Sequence, residues 1–399
     1  MIKKIILNLS IIFCGLSSLM AGESIFGIND YSLGLLHPFY SNSGLGRSYE
    51  IAHYDSLRLN FMNFSAWPGI ANPTYGINLG YSAAFSKDHQ KSDYFNDYVN
   101  FQGGYLGIPI LKKRFVIGFG LQPLSNLEQR FEIYNEGVKK HLLMKGGLSK
   151  GTVNLSYSFN RYFNLAVGYE YNFGRIDRSY RFEMNESEYP LTFSYQYWYY
   201  GHGMEISAFS KPLSKLSVGI VYRPAFTLTA RIKPDTKSNI LNESKLKKLT
   251  IPAYYGFGLR YDFNNRTSLG SDFIYQDWEN GYKIENQVPD GLFSKYYRLG
   301  VGFERRQSHK LFTSFFQKMD YRAGAFYGQQ NVISAGNNIK EYGLTFGLSM
   351  PITRFKSRID FSFLVGKRGS LNQNQYEETF LKFGFTINAS EIWFVTFED

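Results

Sequence analysis

Cysteine is almost absent. The single one, Cys14, lies in an N-terminal stretch that reads as a secretory signal. Lys3 and Lys4 precede a largely apolar run from Ile5 to Met20, and Ala21-Gly22 offers small residues for cleavage. With cleavage after Ala21, the mature chain carries no disulfide and no thiol chemistry. Two other uses of this stretch fit less well. As a membrane anchor it is short and contains Asn8. As a lipidation signal it has Phe13 where a small residue is needed before Cys14.

Long hydrophobic runs are also missing. After the signal no stretch approaches ~18 continuous apolar residues, so no transmembrane helix is expected. Histidine is scarce. The 6 histidines are His37, His53, His89, His141, His202 and His309, and none stands at metal-ligand spacing from another. No Walker motif occurs, and Gly201-His202-Gly203 is too short for a phosphate fingerprint. His53 and Asp55 are too close in sequence to face each other productively. No catalytic residue, metal or cofactor is therefore assigned, and the chain is not expected to be an enzyme. The formal charge is +11, but the positives are scattered over turns such as Lys112-Lys113-Arg114 and Arg305-Arg306. A nucleic-acid binder would gather them on one face.

What is present is aromatic and small. Aromatics make up 18% of the 399 residues, with 32 Tyr, 36 Phe and 38 Gly. Mean hydropathy is only -0.29. That combination favours half-buried strands over helices. Strict alternation follows. Tyr75, Ile77, Leu79, Tyr81, Ala83 and Phe85 alternate with Gly76, Asn78, Gly80, Ser82 and Ala84. The same pattern returns at Phe163–Phe173, Tyr342–Met350 and Leu381–Ile387. Alternate residues of a strand face opposite sides, so one face is greasy and the other polar or small. The strands read as about 10–14 residues long, more than the ~5–6 of globular sheets. Short turns are expected near 111–114, 160–162, 211–215, 264–267, 306–309 and 352–356. Longer loops are expected near 88–97, 124–147, 176–197, 233–250, 277–293, 323–338 and 367–378. This predicts an all-β chain: a transmembrane antiparallel β-barrel of about 14 strands with both termini on the periplasmic side. A barrel that wide is not filled by its own wall side chains. An N-terminal hatch (22–73) is therefore expected inside the barrel (74–388), preceded by the signal (1–21) and followed by a tail (389–399).

Two further features stand out. In the second strand, Val99 and Phe101 share one parity while Leu106, Ile108 and Ile110 share the other. One extra residue flips the facing of everything after it. Gly103, Gly104 and Gly107, with Pro109, therefore mark a bulge that opens the wall beside the third strand. The lumen-facing parity also carries Glu170, Arg260, Arg298 and Glu304. Arg260 and Arg298 suit a ligand carboxylate.

The chain resembles the FadL-like outer-membrane transport family, close to the branch that includes type 9 secretion shuttle barrels. The similarity rests on "SNSGLGRSYEIAHYDSLRLNFMNFSAW" near the N-terminus, "GIPILKKRFVIGFGLQPLSN" at 107–126, the hairpin at 146–174, and residues 343–385. The family's Asn-Pro-Ala signature falls on Asn63-Phe64-Ser65-Ala66, without its proline. The resemblance implies that Gly44, Gly46, Phe61, Met62, Asn63, Phe64, Ala66 and Trp67 belong to the hatch and the ligand pathway. It also implies a bacterial outer-membrane channel for hydrophobic compounds, such as long-chain fatty acids or similar apolar solutes, with hatch-gated passage and lateral exit through the wall. The alternative is a non-transporting barrel that docks partner proteins. Expected partners are outer-membrane lipid and lipopolysaccharide, hydrophobic small molecules and the barrel-assembly machinery, with the chain itself a monomer.

Overall fold

The computed structural model describes residues 24–26, 31–36, 40–89, 93–135, 138–184, 190–234, 245–308, 314–352 and 357–390. The expected signal lies outside the described residues, as does the tail from 391 onward.

Strands curl into one closed antiparallel barrel. Its wall begins with β2 (Thr74–Asp88), β3 (Asp93–Leu111), β4 (Phe115–Asn135), β5 (Val138–Asn160), β6 (Phe163–Met184) and β7 (Leu191–Leu213). β8 (Leu216–Arg223) and β9 (Phe226–Pro234) form one further wall strand, interrupted at Pro224 and Ala225. β10 (Lys245–Ile251) and β11 (Tyr254–Asp262) form the next, interrupted at Pro252 and Ala253. Proline cannot donate to the ladder, so each break falls where a prolyl residue enters. The circuit continues with β12 (Thr267–Asp277), β14 (Lys295–Arg305), β15 (Asp320–Ser334), β16 (Asn337–Pro351), β17 (Arg358–Gly369) and β18 (Tyr376–Ser390). β18 pairs with β2 from Tyr376↔Asp88 to Ser390↔Thr74, which closes fourteen wall strands. A short β13 (Lys283–Ile284) pairs with β10 at Leu249↔Ile284 and Thr250↔Lys283.

The alternation sets the faces. Ile77, Tyr81 and Phe85 point outward, while Asn78, Ser82 and Ser86 are buried inside. Charged side chains at lumen parity, such as Asp272, Glu304 and Asp360, are also buried. On the lipid face an Arg or Lys would cost ~2–4 kcal/mol near the midplane.

Several expected loops are strand instead. β4 to β7 are 21, 23, 22 and 23 residues long. At ~3.3 Å per residue and a tilt of ~40°, 23 residues rise about 55 Å, beyond a hydrocarbon layer of ~25 Å. The expected loops at 124–147 and 176–197 are mostly these outer extensions. Conversely, the turn expected at 306–309 runs to 319 and contains a short 3-10 helix at Phe315–Lys318.

The N-terminal segment lies against inward-facing wall residues. β1 (Leu35–Leu36) pairs with β4, a helical turn spans Asn42–Leu45, and a 3-10 helix spans Phe64–Gly69. Bare glycine lets the two backbones meet: a Cβ on Gly324 would stand 2.6 Å from the carbonyl oxygen of Arg47.

Candidate functional site

Three local structures distinguish the interior. The first is a set of polar contacts that ties the N-terminal segment to the wall. Arg47 donates to Glu304 at 3.1 Å, Arg322 to Glu304 at 2.8 Å, and His53 Nε2 lies 3.2 Å from the other oxygen of Glu304. Burial, reinforced by Arg47, pushes the His53 pKa well below its usual value, so the ring is neutral at pH 7. Arg58 reaches Asp320 at 2.5 Å, Asp55 at 2.8 Å and Asp360 at 3.3 Å. Burial alone would raise the Asp55 carboxyl, but Arg58 beside it holds it well below the usual range. Asp272 accepts the backbone N–H groups of Glu50 at 2.6 Å and Ile51 at 2.9 Å. Glu50 accepts from Ser41 N at 2.7 Å and Phe61 N at 3.3 Å, which joins two turns of the segment. Burial raises the Glu50 pKa despite these donors.

The second is an aromatic cluster. Asn63 starts the 3-10 helix: its side chain accepts from Ser65 N at 3.0 Å and donates to Ile51 O at 2.9 Å. Phe64 and Trp67 then project onto Tyr105, with ring centroids 5.7 and 5.6 Å away. Phe61 meets the same ring at 4.6 Å. Leu59, Ile70 and Val116 complete the packing. Met62 is buried in a separate core cluster, and Ala66 is buried too. Gly44 and Gly46 lie in and just after the helical turn. A Cβ on Gly44 would strike the Glu50 carboxylate, and one on Gly46 would stand 2.7 Å from Gly347 Cα. The large group at Phe64 thus fills a closed cluster. Replacing Phe64 with Ala is expected to cost ~3–5 kcal/mol of stability. The urea midpoint of the refolded barrel measures this, and an unchanged midpoint would show that the cluster does not hold the segment.

The third is a slot in the wall. The β3–β4 seam runs from Leu111↔Phe115 up to Gly104↔Leu121 and stops. Beyond it, β3 stays paired with β2 and β4 with β5, but no described pairing joins β3 to β4. The parity switch is a register shift that leaves Gln102 unpaired between Phe101 and Gly103, whose φ is +125°. Gly104 forms the last pair. Gly107 and Pro109 lie in the paired part of the seam, opposite Gly118 and Val116. Gly107 instead backs the N-terminal segment, where a Cβ would stand 2.9 Å from both Leu59 and Ile70. β1 occupies part of the free β4 edge, with Leu35 opposite Asn126 and Leu36 opposite Ser125. Behind the slot lies a cavity of about 330 Å³, lined by Tyr40, Leu45, Ser82, Asn100, Gln122 and Leu148 among others. A smaller cavity of about 60 Å³ adjoins it, bounded by Leu33, Leu36, Phe226 and Trp278 together with Lys150, Glu170 and Arg223.

The four sequence-predicted charges are inside, each in an ion pair. Glu170 pairs with Lys150 at 2.6 Å, Arg260 with Asp262 at 2.8 Å, and Arg298 with Glu341 at 3.1 Å. Both arginines that suited a ligand carboxylate are thus already engaged by an internal one. Arg47, Glu50 and Arg58, the main polar contacts of the segment, were not singled out by sequence. Their only signal was charge within an irregular, semi-apolar stretch.

A closed fourteen-stranded wall with an N-terminal segment packed inside it is the fold of FadL-like barrels. A Pseudomonas aeruginosa FadL homologue shares the fold at TM-score 0.66 and 14% identity, covering 90% of this chain and 99% of the other. The Pseudomonas putida toluene transporter TodX matches at TM-score 0.56 and 12% identity, covering 90% and 100%. The Ralstonia pickettii toluene transporter TbuX matches at 0.54 and 11%, covering 82% and 92%. No protein of curated function matches the sequence. The profile of the BamG family matches residues 1–397, and the chain belongs to that family.

Proposed function

We propose that the protein passes hydrophobic compounds, long-chain fatty acids or smaller apolar solutes, from its outer mouth through the β3–β4 slot into the bilayer. The observation that carries this reading is the seam that ends at Gly104↔Leu121 with a cavity behind it. Unpaired backbone facing hydrocarbon costs several kcal/mol per group, so an open seam there requires a compensating use. The N-terminal segment is the floor of this route rather than its gate, because the cavity sits on it at Tyr40 and Leu45. Two of the structural neighbours, TodX and TbuX, are toluene transporters, which agrees in kind. Uptake of an apolar tracer by proteoliposomes tests the route. Asn100→Trp, which fills the cavity, is expected to reduce uptake towards that of empty vesicles, and removing residues 24–36 to raise it. Uptake unchanged in both variants would refute the slot as a path.

A second reading, docking of partner proteins, draws on the outer extensions of β4 to β7 and on the interior contacts that fix the segment. The family name associates it with outer-membrane barrel assembly. On this reading Asn100→Trp leaves function intact, while trimming the extensions abolishes co-purification of assembly components.

A further inference from the structure

A second feature lies on the outside of the wall, at its periplasmic edge and away from the slot. The outward column of β14 reads Leu299, Val301, Phe303 and then Arg305. Two residues of strand advance ~6–7 Å, so Arg305 emerges just below the last lipid-facing aromatic. Arginine in that position extends its guanidinium to the head-group level. Thr267 is directly opposite Arg305, which places Arg266 beside it in the β11–β12 turn. That turn is firmly built. The Asn264 side chain accepts from Arg266 N and Thr267 N, both at 2.9 Å, and Arg306 N donates to Arg266 O at 2.6 Å. Arg266 Nε donates to the Arg306 carbonyl oxygen at 3.3 Å, and among the described residues no carboxylate pairs with Arg305 or Arg266.

Facing the two arginines is the 3-10 helix Phe315–Lys318. Tyr321, outward on β15, donates its hydroxyl to Phe316 O at 2.9 Å and pins the helix to the outer wall. Phe316 is 70% exposed and Phe315 56% exposed. The space between helix and turn is a groove of about 360 Å³, lined by Arg266, Phe303, Arg305, Phe316, Tyr321 and Ala323 among others. One end is cationic. The other runs without interruption into the lipid-facing wall, where only Ala323 stands between Phe303 and Phe346.

We propose that this groove binds one diacyl phospholipid of the periplasmic leaflet. Its phosphate lies between Arg266 and Arg305, and an acyl chain passes Phe316 along the face of Ala323. The membrane, rather than a protein, is assigned as the occupant because the apolar end of the groove is continuous with wall that already faces acyl chains. Arginine suits the phosphate through charge-assisted contacts from its fork of donors. The site makes no use of the slot.

The test is native mass spectrometry of the full-length barrel released from detergent after incubation with phosphatidylglycerol or with diacylglycerol of the same chains. Wild type is expected to retain phosphatidylglycerol about tenfold better than diacylglycerol. The double variant Arg266→Gln/Arg305→Gln should lose about tenfold of that retention, the order expected from removing charge-assisted phosphate contacts. Phe316→Ser should also weaken retention with both guanidinium groups in place. The single variant Arg305→Gln leaves the Arg266 turn untouched and serves if the double variant does not fold by heat-modifiability on a gel. Equal retention by variant and wild type would overturn the site, as would equal retention of the two lipids. Displacement of the lipid by millimolar inorganic phosphate would reassign it to a free anion. Loss of a co-purifying protein with lipid unchanged would reassign it to a protein interface.

Discussion

Glu304→Ala is expected to lower the unfolding midpoint of the barrel sharply, by an amount comparable to loss of Phe64. Glu304 is fully buried and accepts Arg47 at 3.1 Å and Arg322 at 2.8 Å, with His53 at 3.2 Å. Removing the acid leaves three guanidinium groups without it: the buried Arg47 and Arg322, and the part-exposed Arg306, whose Nε lies 3.4 Å from Glu304. Arg322 keeps Asp320 at 3.3 Å and Ser349 at 2.6 Å, so it is partly compensated. Arg47 keeps only the carbonyl of Tyr49, at 2.8 Å, and loses its sole described carboxylate. Breaking a buried pair from one side costs ~3–5 kcal/mol, most of it the unpaired charge that remains. Neutral His53 adds no further charge. Glu304→Gln should cost less than Ala, because an amide oxygen still accepts from Arg47. Urea titration of the purified barrel, followed by tryptophan emission or gel mobility, measures all three proteins. If Ala matches wild type, these contacts do not hold the N-terminal segment.

The barrel was legible in sequence because its signal is local. A strand in a membrane wall writes its two faces into alternate residues, and Tyr75–Phe85 does so without exception. Where a strand leaves the membrane the writing stops. Lys139, Lys140 and His141 on β5, and Arg178 and Arg181 on β6, no longer alternate with a greasy face, yet the β5–β6 ladder continues through them to Val138↔Met184. That is why 124–147 and 176–197 read as loops. The paired breaks at Pro224 and Pro252 had a visible cause in proline, but only the register shows that they lie side by side, between Arg223↔Tyr254 and Phe226↔Ile251. The interior was less legible for a different reason. Its contacts join residues far apart in the chain, Arg47 to Glu304 or Asp272 to Glu50, and period-two reasoning places a charge inside without naming its partner. Arg298 and Arg260 had the right parity and the right chemistry for a ligand, and internal carboxylates had already taken them.

Locking the N-terminal segment to the wall separates a moving hatch from a fixed floor. Ser48 Oγ and Thr345 Oγ1 are 2.8 Å apart, the first on the segment and the second on β16. A disulfide needs its two sulfurs at ~2.05 Å and Cβ atoms ~3.8 Å apart, and the hydroxyl contact makes this pair the candidate for such a crosslink. Cys14, the one native cysteine, lies in the N-terminal 21 residues, so Ser48→Cys/Thr345→Cys introduces the only pair expected in the mature chain. Oxidised, the variant ties the segment to the wall across 297 residues of sequence. The crosslink should raise the urea midpoint by roughly 2–4 kcal/mol in equivalent stability. Uptake of an apolar tracer should be the same oxidised and reduced, because the slot route leaves the floor in place. Uptake that vanishes on oxidation and returns with reductant would mean that the segment swings aside and that solutes cross past it into the periplasm. Asn100→Trp would then block little of the flow, so the two variants together assign the path: through the wall if Trp blocks and the disulfide does not, past the segment if the reverse.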